Sequence, residues 1–313
     1  MDKILVVGSL NMDLAVLIKD FPKPGETILG KDFLVSPGGK GANQAYAAGR
    51  LGGNVKILGC IGDDDYGKLM KQNLSNVNVN VNSLKTIDNI STGIAIIMNA
   101  DSGENNITVI SGANAYLNKQ LIKNHISLIR DADYVLTQLE TPLETVEYLA
   151  DVCATYNKTF VLDPSPAEKN LSEKIFCNID IIKPNETELS ILTGMPVDSM
   201  ANIKKAAQVL LDKGVKNVIT TLGSKGTLWT HMGESQFFPA RKVTAVDTTA
   251  AGDTFLAALI CGLAKGKNYV DAITYANIAS SISVTKRGAQ RSIPSADDIE
   301  RVIKEEECNV KEG

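Results

Sequence analysis

Short runs of apolar, β-branched residues alternate with helical patterns along most of this chain, and no other feature restricts its fold as strongly. The runs are 3–8, 55–60, 134–138, 159–163, 179–183 and 218–221. They lack polar alternation, as expected of strands covered on both faces. Helical patterns lie between many of them, at 42–51, 64–74, 143–156, 186–192 and 203–211. A strand followed by a helix returns to the sheet as a parallel strand. The expected fold class is therefore α/β: a doubly wound, mostly parallel central sheet with helices on both faces, in one domain over residues 1–313. The C-terminal part reads as largely helical, at 254–265, 269–284 and 296–306, with a charged tail from Glu305 expected to fray.

Two stretches break this rhythm. Residues 14–36 carry the Phe21-Pro-Lys-Pro-Gly25 segment between short apolar runs, and 92–110 reads as strand, turn and strand around Asp101. Neither has a helical pattern. Together they predict a small β-sheet beyond the α/β body, either a lid over a site or a surface hairpin pair. Residues 76–82 alternate Asn and Val and fit an exposed strand or a loop.

Composition narrows the function. A net charge of −4 and a pI near 5.4 leave no general nucleic-acid footprint. No pair among Cys60, Cys153, Cys177, Cys261 and Cys308 has CxxC spacing, so they read as free thiols in a reducing compartment. The first residues lack the basic start and long apolar region of a signal peptide, and the apolar run at 255–264 is too short to span a bilayer. A cytoplasmic protein is expected. Neither His125 nor His231 lies in a ligand or triad motif.

The chemistry concentrates near residue 250, in Asp247-Thr-Thr-Ala-Ala-Gly-Asp253, which runs straight into apolar helical sequence. Ala250, Ala251 and Gly252 let backbone amides approach a ligand, and the helix behind points its free N–H groups and positive dipole end the same way, an arrangement that binds phosphates. Asp253 is set into that anion site, where its carboxylate can act as a base toward an alcohol. The plain alternative is that Asp253 or Thr254 caps a helix. A second Gly-rich segment, Pro37-Gly-Gly-Lys-Gly-Ala-Asn43, opens the helix at 42–51 and is not a Walker A motif. Its glycines, Gly38, Gly39 and Gly41, permit close backbone approach. Asn11 and Asp13 follow the first strand, where open α/β sheets place ligands, and suit sugar hydroxyls or a turn. Asn185 and Glu188 lie on one side of a first helical turn. Glu188 there can hold Mg²⁺ through water while Asn185 orients phosphate oxygens, and the same pair is what a capping box uses. Thr221-Leu-Gly-Ser-Lys-Gly226 follows another strand and reads as a nucleotide loop or a β-turn, comprising Thr221, Leu222, Gly223, Ser224, Lys225 and Gly226.

Taken in order, Asn11-x-Asp13, Gly38 to Asn43, Glu140, Asn185 to Glu188, Thr221 to Ser224 and Asp247 to Asp253 resemble the ribokinase branch of the PfkB carbohydrate-kinase family, over nearly the whole chain. The family often has Gly where this chain has Ala250. The resemblance implies ATP-dependent phosphorylation of ribose at its 5-hydroxyl. Asp253 would be the general base, with the backbone N–H groups of Ala250, Ala251, Gly252 and Asp253 as the anion hole. Asn11, Asp13, Gly39, Lys40, Gly41, Asn43 and Glu140 would hold the sugar. Asn185, Thr221, Gly223, Ser224, Gly226, Gly252 and Asn277 would line the ATP site, although many relatives carry His in place of Asn277. The resemblance also implies Mg²⁺ and a K⁺ activator. The positions matching the monovalent-cation site are Asp247, Thr249, Ser283, Lys286, Gly288 and Ser292. It further implies a homodimer through the lid sheets. Competing readings are a kinase for deoxyribose, fructose or a nucleoside, and a non-catalytic sugar-binding sensor on the same fold. The low aromatic content, 5%, offers little stacking for a nucleobase acceptor.

Overall fold

In a computed structural model, which describes residues 1–169 and 171–312, the strands form two sheets. In chain order they are β1 (Lys3–Val7), β2 (Asn11–Ile18), β3 (Asp32–Gly38), β4 (Asn54–Gly62), β5 (Asn80–Ile87), β6 (Gly93–Ala100), β7 (Asn105–Ile110), β8 (Tyr134–Thr137), β9 (Thr159–Leu162), β10 (Ile181–Ile182), β11 (Asn217–Thr221), β12 (Gly226–His231) and β13 (Glu234–Pro239). The larger sheet has nine strands in the order β13-β12-β11-β10-β9-β8-β1-β4-β5. From β11 to β5 every pairing is parallel, and at the other edge the β11–β12 and β12–β13 pairings are antiparallel.

Alternate residues of each central strand point to opposite faces, and both faces are covered. Ile4 and Val6 of β1 enter one apolar layer, and Leu5 and Val7 enter the other. The first layer is built with α1 (Lys40–Arg50), α2 (Asp65–Ser75), α6 (Ala251–Ala264), α7 (Tyr269–Ser283) and α8 (Ala296–Glu312); the second includes α3 (Leu143–Thr155), α4 (Glu186–Thr193) and α5 (Met200–Asp212). Continuous apolar strands and helices on both sides are the expected doubly wound α/β arrangement. Helix α6 is apolar nearly all round and buried from Asp253 to Ala264, which places its N-terminus deep at the carboxyl end of the sheet.

The two stretches that broke the strand–helix rhythm form the smaller sheet, ordered β3-β2-β6-β7. It begins earlier than expected: Asn11 and Asp13 already belong to β2, and β3 runs on to Gly38. Thus two proposed sugar residues stand on the small sheet. The Asn-Val stretch leads into β5, the edge strand of the large sheet. The short helices Lys119–Asn124 and Ile126–Asp131 and the β12–β13 hairpin had no clear sequence pattern. Helix α8 continues past Glu305 to Glu312, and Arg241 Nε pairs with Glu306 Oε1 at 2.8 Å.

Asp64 ties the two sheets together. It caps α2 by accepting from Gly67 N at 2.7 Å, and it also accepts from Thr92 N at 2.7 Å and Thr92 Oγ1 at 2.6 Å, immediately before β6. Partial burial disfavours its charge, but the bonds from Thr92 and Gly67 outweigh this and hold the carboxyl below its ordinary value. A lowered folded pKa contributes stability above the unfolded value and loses it as pH falls through the folded value. Asp64→Ala should therefore cost about 1–2 kcal/mol at neutral pH. Urea unfolding should show this gap narrowing as the pH drops below about 4.

Candidate active site

The site is built around the start of α6. Ala250, the residue before the helix, adopts left-handed φ 58 and ψ 12. This turn brings the chain sharply into the helix and leaves the N–H groups of its first turn without intrahelical acceptors. Ala251 N donates back to Thr248 O at 3.2 Å, so the amides facing forward are those of Gly252 and Asp253. Asp253 lies in the same turn and is 5% exposed. Its Oδ2 accepts from Asn43 Nδ2 at 3.0 Å, and its Oδ1 accepts from Gln44 Nε2 at 3.0 Å. Burial, the largest influence, and the Asp163 charge push its pKa above the ordinary value, while Lys40, Lys183 and Asn43 work against that rise.

The glycine segment delivers Asn43 and Lys40. Gly39 precedes α1 at φ 83, and a Cβ there would lie 2.6 Å from Asn11 N. Gly41 packs equally tightly, since an added Cβ would fall 2.6 Å from Ser9 N. Glu140 fixes this turn from below, as its Oε2 accepts from Lys40 N at 3.0 Å and from the Ser9 hydroxyl. Asn11 Oδ1 accepts from Asn114 Nδ2 at 2.8 Å. Asp13 faces Glu140 and Asp253, and its pKa is pushed up to about 7, first by burial and then by those two charges. Burial works to deprotonate Lys40, but the carboxylates of Asp253, Asp163, Glu140 and Glu188 outweigh it and hold its pKa above the usual lysine value.

On the other side of Asp253 opens a cavity of about 480 Å³. Its walls include Lys40, Asn185, Glu188, Thr221, Gly223, Gly226, Ala250, Ala251, Gly252, Asp253 and Asn277. The site proposed for a sugar and the one proposed for a nucleotide thus meet at Lys40 and Asp253. Asn185 and Glu188 do form a capping box, with Asn185 Oδ1 accepting from Glu188 N and Glu188 Oε2 accepting from Asn185 N, both at 2.8 Å. Capping and facing the cavity coexist here. The 221–226 segment is a tight turn between antiparallel strands and also a cavity wall, yet Leu222 is buried in the core and Lys225 pairs with Glu186 at 3.0 Å. Ser224 and Lys225 are not among the residues that line the cavity. Asn277 Oδ1 accepts from Thr227 Oγ1 at 2.8 Å.

In the loop ahead of α6, Asp247 joins Thr249 and Gly288, three of the six positions assigned to a monovalent cation. Asp247 Oδ1 accepts from Thr249 N at 2.9 Å and Thr249 Oγ1 at 2.6 Å, and its Oδ2 accepts from Gly288 N at 2.8 Å. Burial opposes its ionisation, but these bonds and Arg287 prevail and keep its pKa low. Lys286 N donates to Ser283 O at 3.1 Å, and Ser292 Oγ donates to Ala289 O at 2.8 Å.

Sequence reasoning passed over Gln44, Gln138, Asp163 and Lys183. Gln44 is fully buried and Lys183 Nζ pairs with Asp163 Oδ1 at 3.1 Å. A usable signal existed: Gln138, Asp163 and Lys183 each follow the last residues of β8, β9 and β10, where a parallel sheet presents its ligand-facing groups.

A carboxylate set beside open helix-terminal amides, with polar groups on one side and a cavity on the other, is equipped to take a proton from an alcohol while an anion is held close by. Residues 1–296 match the model of the pfkB family of carbohydrate kinases. The chain belongs to that family. It is 43% identical to the ribokinase of Haemophilus influenzae across 93% of this chain and 94% of that protein. It is 36% identical to the deoxyribokinase of Salmonella typhi across 96% of this chain and 98% of that protein. A crystal structure of ribokinase from Thermotoga maritima, 39% identical, superposes with a TM-score of 0.89 over 97% of this chain and 100% of the other. The Arabidopsis thaliana ribokinase complexed with ribose and ATP, 33% identical, gives 0.91 over 97% and 99%.

The left-handed alanine yields a direct test. An L-residue with a Cβ costs roughly 1 kcal/mol in that region, and glycine avoids the penalty at some cost in unfolded-chain entropy. Ala250→Gly should leave stability unchanged or raise it by up to about 1 kcal/mol in urea unfolding, whereas Ala250→Val should lower it by more than about 1 kcal/mol.

Proposed function

We propose that this kinase transfers the γ-phosphoryl group of ATP to the 5-hydroxyl of D-ribose, giving ribose 5-phosphate and ADP. The reading is carried by the position of Asp253, which faces the Asn43 amide on one side and the 480 Å³ cavity at the N-terminus of α6 on the other. Ribose sits among Asn11, Asp13, Gly39, Lys40, Gly41, Asn43 and Glu140, whose polar groups match a ring of hydroxyls. ATP lies along Asn185, Thr221, Gly223, Gly226 and Asn277 with its γ-phosphate at the amides of Gly252 and Asp253. As the 5-oxygen attacks phosphorus, its proton passes to Asp253, the bond to the β–γ bridging oxygen breaks, and ADP leaves. The transition state is loose, so placement and charge stabilisation supply more of the barrier reduction than early proton removal. Lys40, kept protonated by the carboxylates around it, neutralises charge that builds on the transferring group.

No cluster of three or more His, Cys, Asp or Glu side chains suited to a metal occurs among the described residues. Glu188, one oxygen of which serves the cap, would hold Mg²⁺ through water with its other oxygen. Mg²⁺ bound there spreads phosphate charge. Asp247, Thr249, Ser283, Lys286, Gly288 and Ser292 supply hard oxygen donors that suit K⁺, which would stiffen the loop ahead of Ala250. The small sheet acts as a lid that excludes water. Leu17, Leu34, Ile107 and Val109 lie on one face of that sheet and are large, apolar and exposed, as expected of a surface that a second copy covers. No helix among the described residues is long and apolar enough to cross a membrane, and a sugar and ATP as substrates suit the cytoplasm.

A coupled assay over pentoses and hexoses, with and without K⁺, tests the reading. ADP formation should depend on D-ribose, exceed that with 2-deoxyribose and rise with K⁺. A preference for 2-deoxyribose would make the chain a deoxyribokinase instead. Asp253→Asn should keep measurable sugar and ATP binding but lose at least ~10²-fold in kcat; near-normal turnover would reject the base assignment. Light scattering should report a dimer, and Ile107→Glu should shift it to monomer.

A further inference from the structure

Gln44 sits beneath Asp253 with every polar atom of its side chain engaged. Its Nε2 donates to Asp253 Oδ1 at 3.0 Å and to Asp163 Oδ2 at 2.8 Å, while its Oε1 accepts from Gln138 Nε2 at 2.7 Å. The residue has no solvent exposure. Asp163 Oδ1 continues the chain to Lys183 Nζ at 3.1 Å, and Lys183 Nζ reaches Gly252 O at 3.5 Å. Gly252 adjoins Asp253, so the contacts close into a ring: Asp253, Gln44, Asp163, Lys183, Gly252 and back.

We propose that Gln44 is the positioning residue for the base, a single amide nitrogen that bridges two carboxylates, fixes the orientation of Asp253 and ties it through Asp163 and Lys183 to the backbone of the anion hole. This deepens the kinase reading above and rests on it. The chemistry selects glutamine. An amide nitrogen has two protons and no lone pair to offer, so both carboxylates must face it as acceptors. A glutamate would set a third acceptor between them, and a methionine would leave both short of a donor inside a low-dielectric site. With Gln44 on Oδ1 and Asn43 on Oδ2, each oxygen of Asp253 keeps lone-pair capacity for the substrate hydroxyl. The ring also means that the base and the phosphate-binding amides move together.

Charged groups face Asp253 from several elements: Lys40 at the start of α1, Asp163 after β9, Lys183 after β10 and Asp13 on β2. Removing a donor from an ionised carboxylate disfavours the charged form and raises its pKa. The base must be ionised to act, so the acid limb of activity must move to higher pH when Gln44 loses its protons.

The test uses the full chain with ribose and Mg·ATP. Gln44→Met keeps length and removes both donors, and Gln44→Glu keeps shape. Profiles of kcat against pH are recorded together with KM for ribose and KM for ATP, and thermal melts check folding. For Gln44→Met we expect kcat to fall about 10- to 100-fold at neutral pH with both KM values within a few-fold of the unsubstituted enzyme. The acid limb of kcat should rise by roughly one pH unit. Gln44→Glu should move it further in the same direction, and it carries the test alone if Gln44→Met fails to fold. An acid limb that stays in place in a folded variant overturns the proposal, whether or not kcat falls, because a merely structural loss would leave it there. Failure of the kinase reading itself would show differently, as absence of ribose-dependent ADP formation by the unsubstituted chain.

Discussion

Asp13, Glu140, Asp163 and Asp253 crowd one largely buried region, and their mutual repulsion has to be offset by groups placed among them. Lys183 meets Asp163 directly, the Gln44 and Asn43 amides meet Asp253, and the Lys40 amide meets Glu140. Buried charge without partners would cost several kcal/mol per group, so the positions of these donors are as constrained as those of the acids. Among the described residues no comparable donor meets Asp13, and its pKa climbs to about 7. A sugar hydroxyl is the kind of partner that such a carboxylate lacks.

The fold explains why these groups converge. In a parallel sheet every strand ends at the same edge, so the residues after β1, β8, β9 and β10 reach one place from distant parts of the chain. Ser9, Gln138 and Glu140, Asp163 and Lys183 arrive this way. The buried helix α6 aims its N-terminus at that edge, and α1 does so beside it. Both starts depend on backbone that most residues avoid, left-handed at Ala250 and φ 83 at Gly39. Chemistry at the site is thus set by backbone geometry as much as by side chains.

The sequence made the large sheet legible because its strands are short, apolar and β-branched, and burial on both faces leaves few other ways to place such runs. It was less clear at β5, β12 and β13, where Asn, Thr and Gly dilute the pattern and pairing with a neighbour decides the outcome. The Gly-rich turn and Asp253 were visible as local motifs, and the structure brings them into contact across more than 200 residues, at |i−j| = 210 for Asn43 and Asp253. Gln138, Asp163 and Lys183 escaped notice because nothing local distinguishes them and only their shared place just past a strand end would have grouped them, while Gln44 sits within α1 with no such signal. Asn185 and Glu188 looked like a choice between cap and ligand. The fold makes them both cap and cavity wall, since one oxygen of Glu188 suffices for the cap.

The central claim is spatial: one carboxylate at the mouth of α6 meets the acceptor hydroxyl while the helix amides receive the phosphate. A crystal structure of the chain with ribose and a non-hydrolysable ATP analogue tests it most directly. The account predicts an Asp253 oxygen within hydrogen-bond distance of the ribose 5-hydroxyl and the terminal phosphate against the Gly252 and Asp253 N–H groups. A sugar bound away from Asp253, or a terminal phosphate held away from the start of α6, would contradict it.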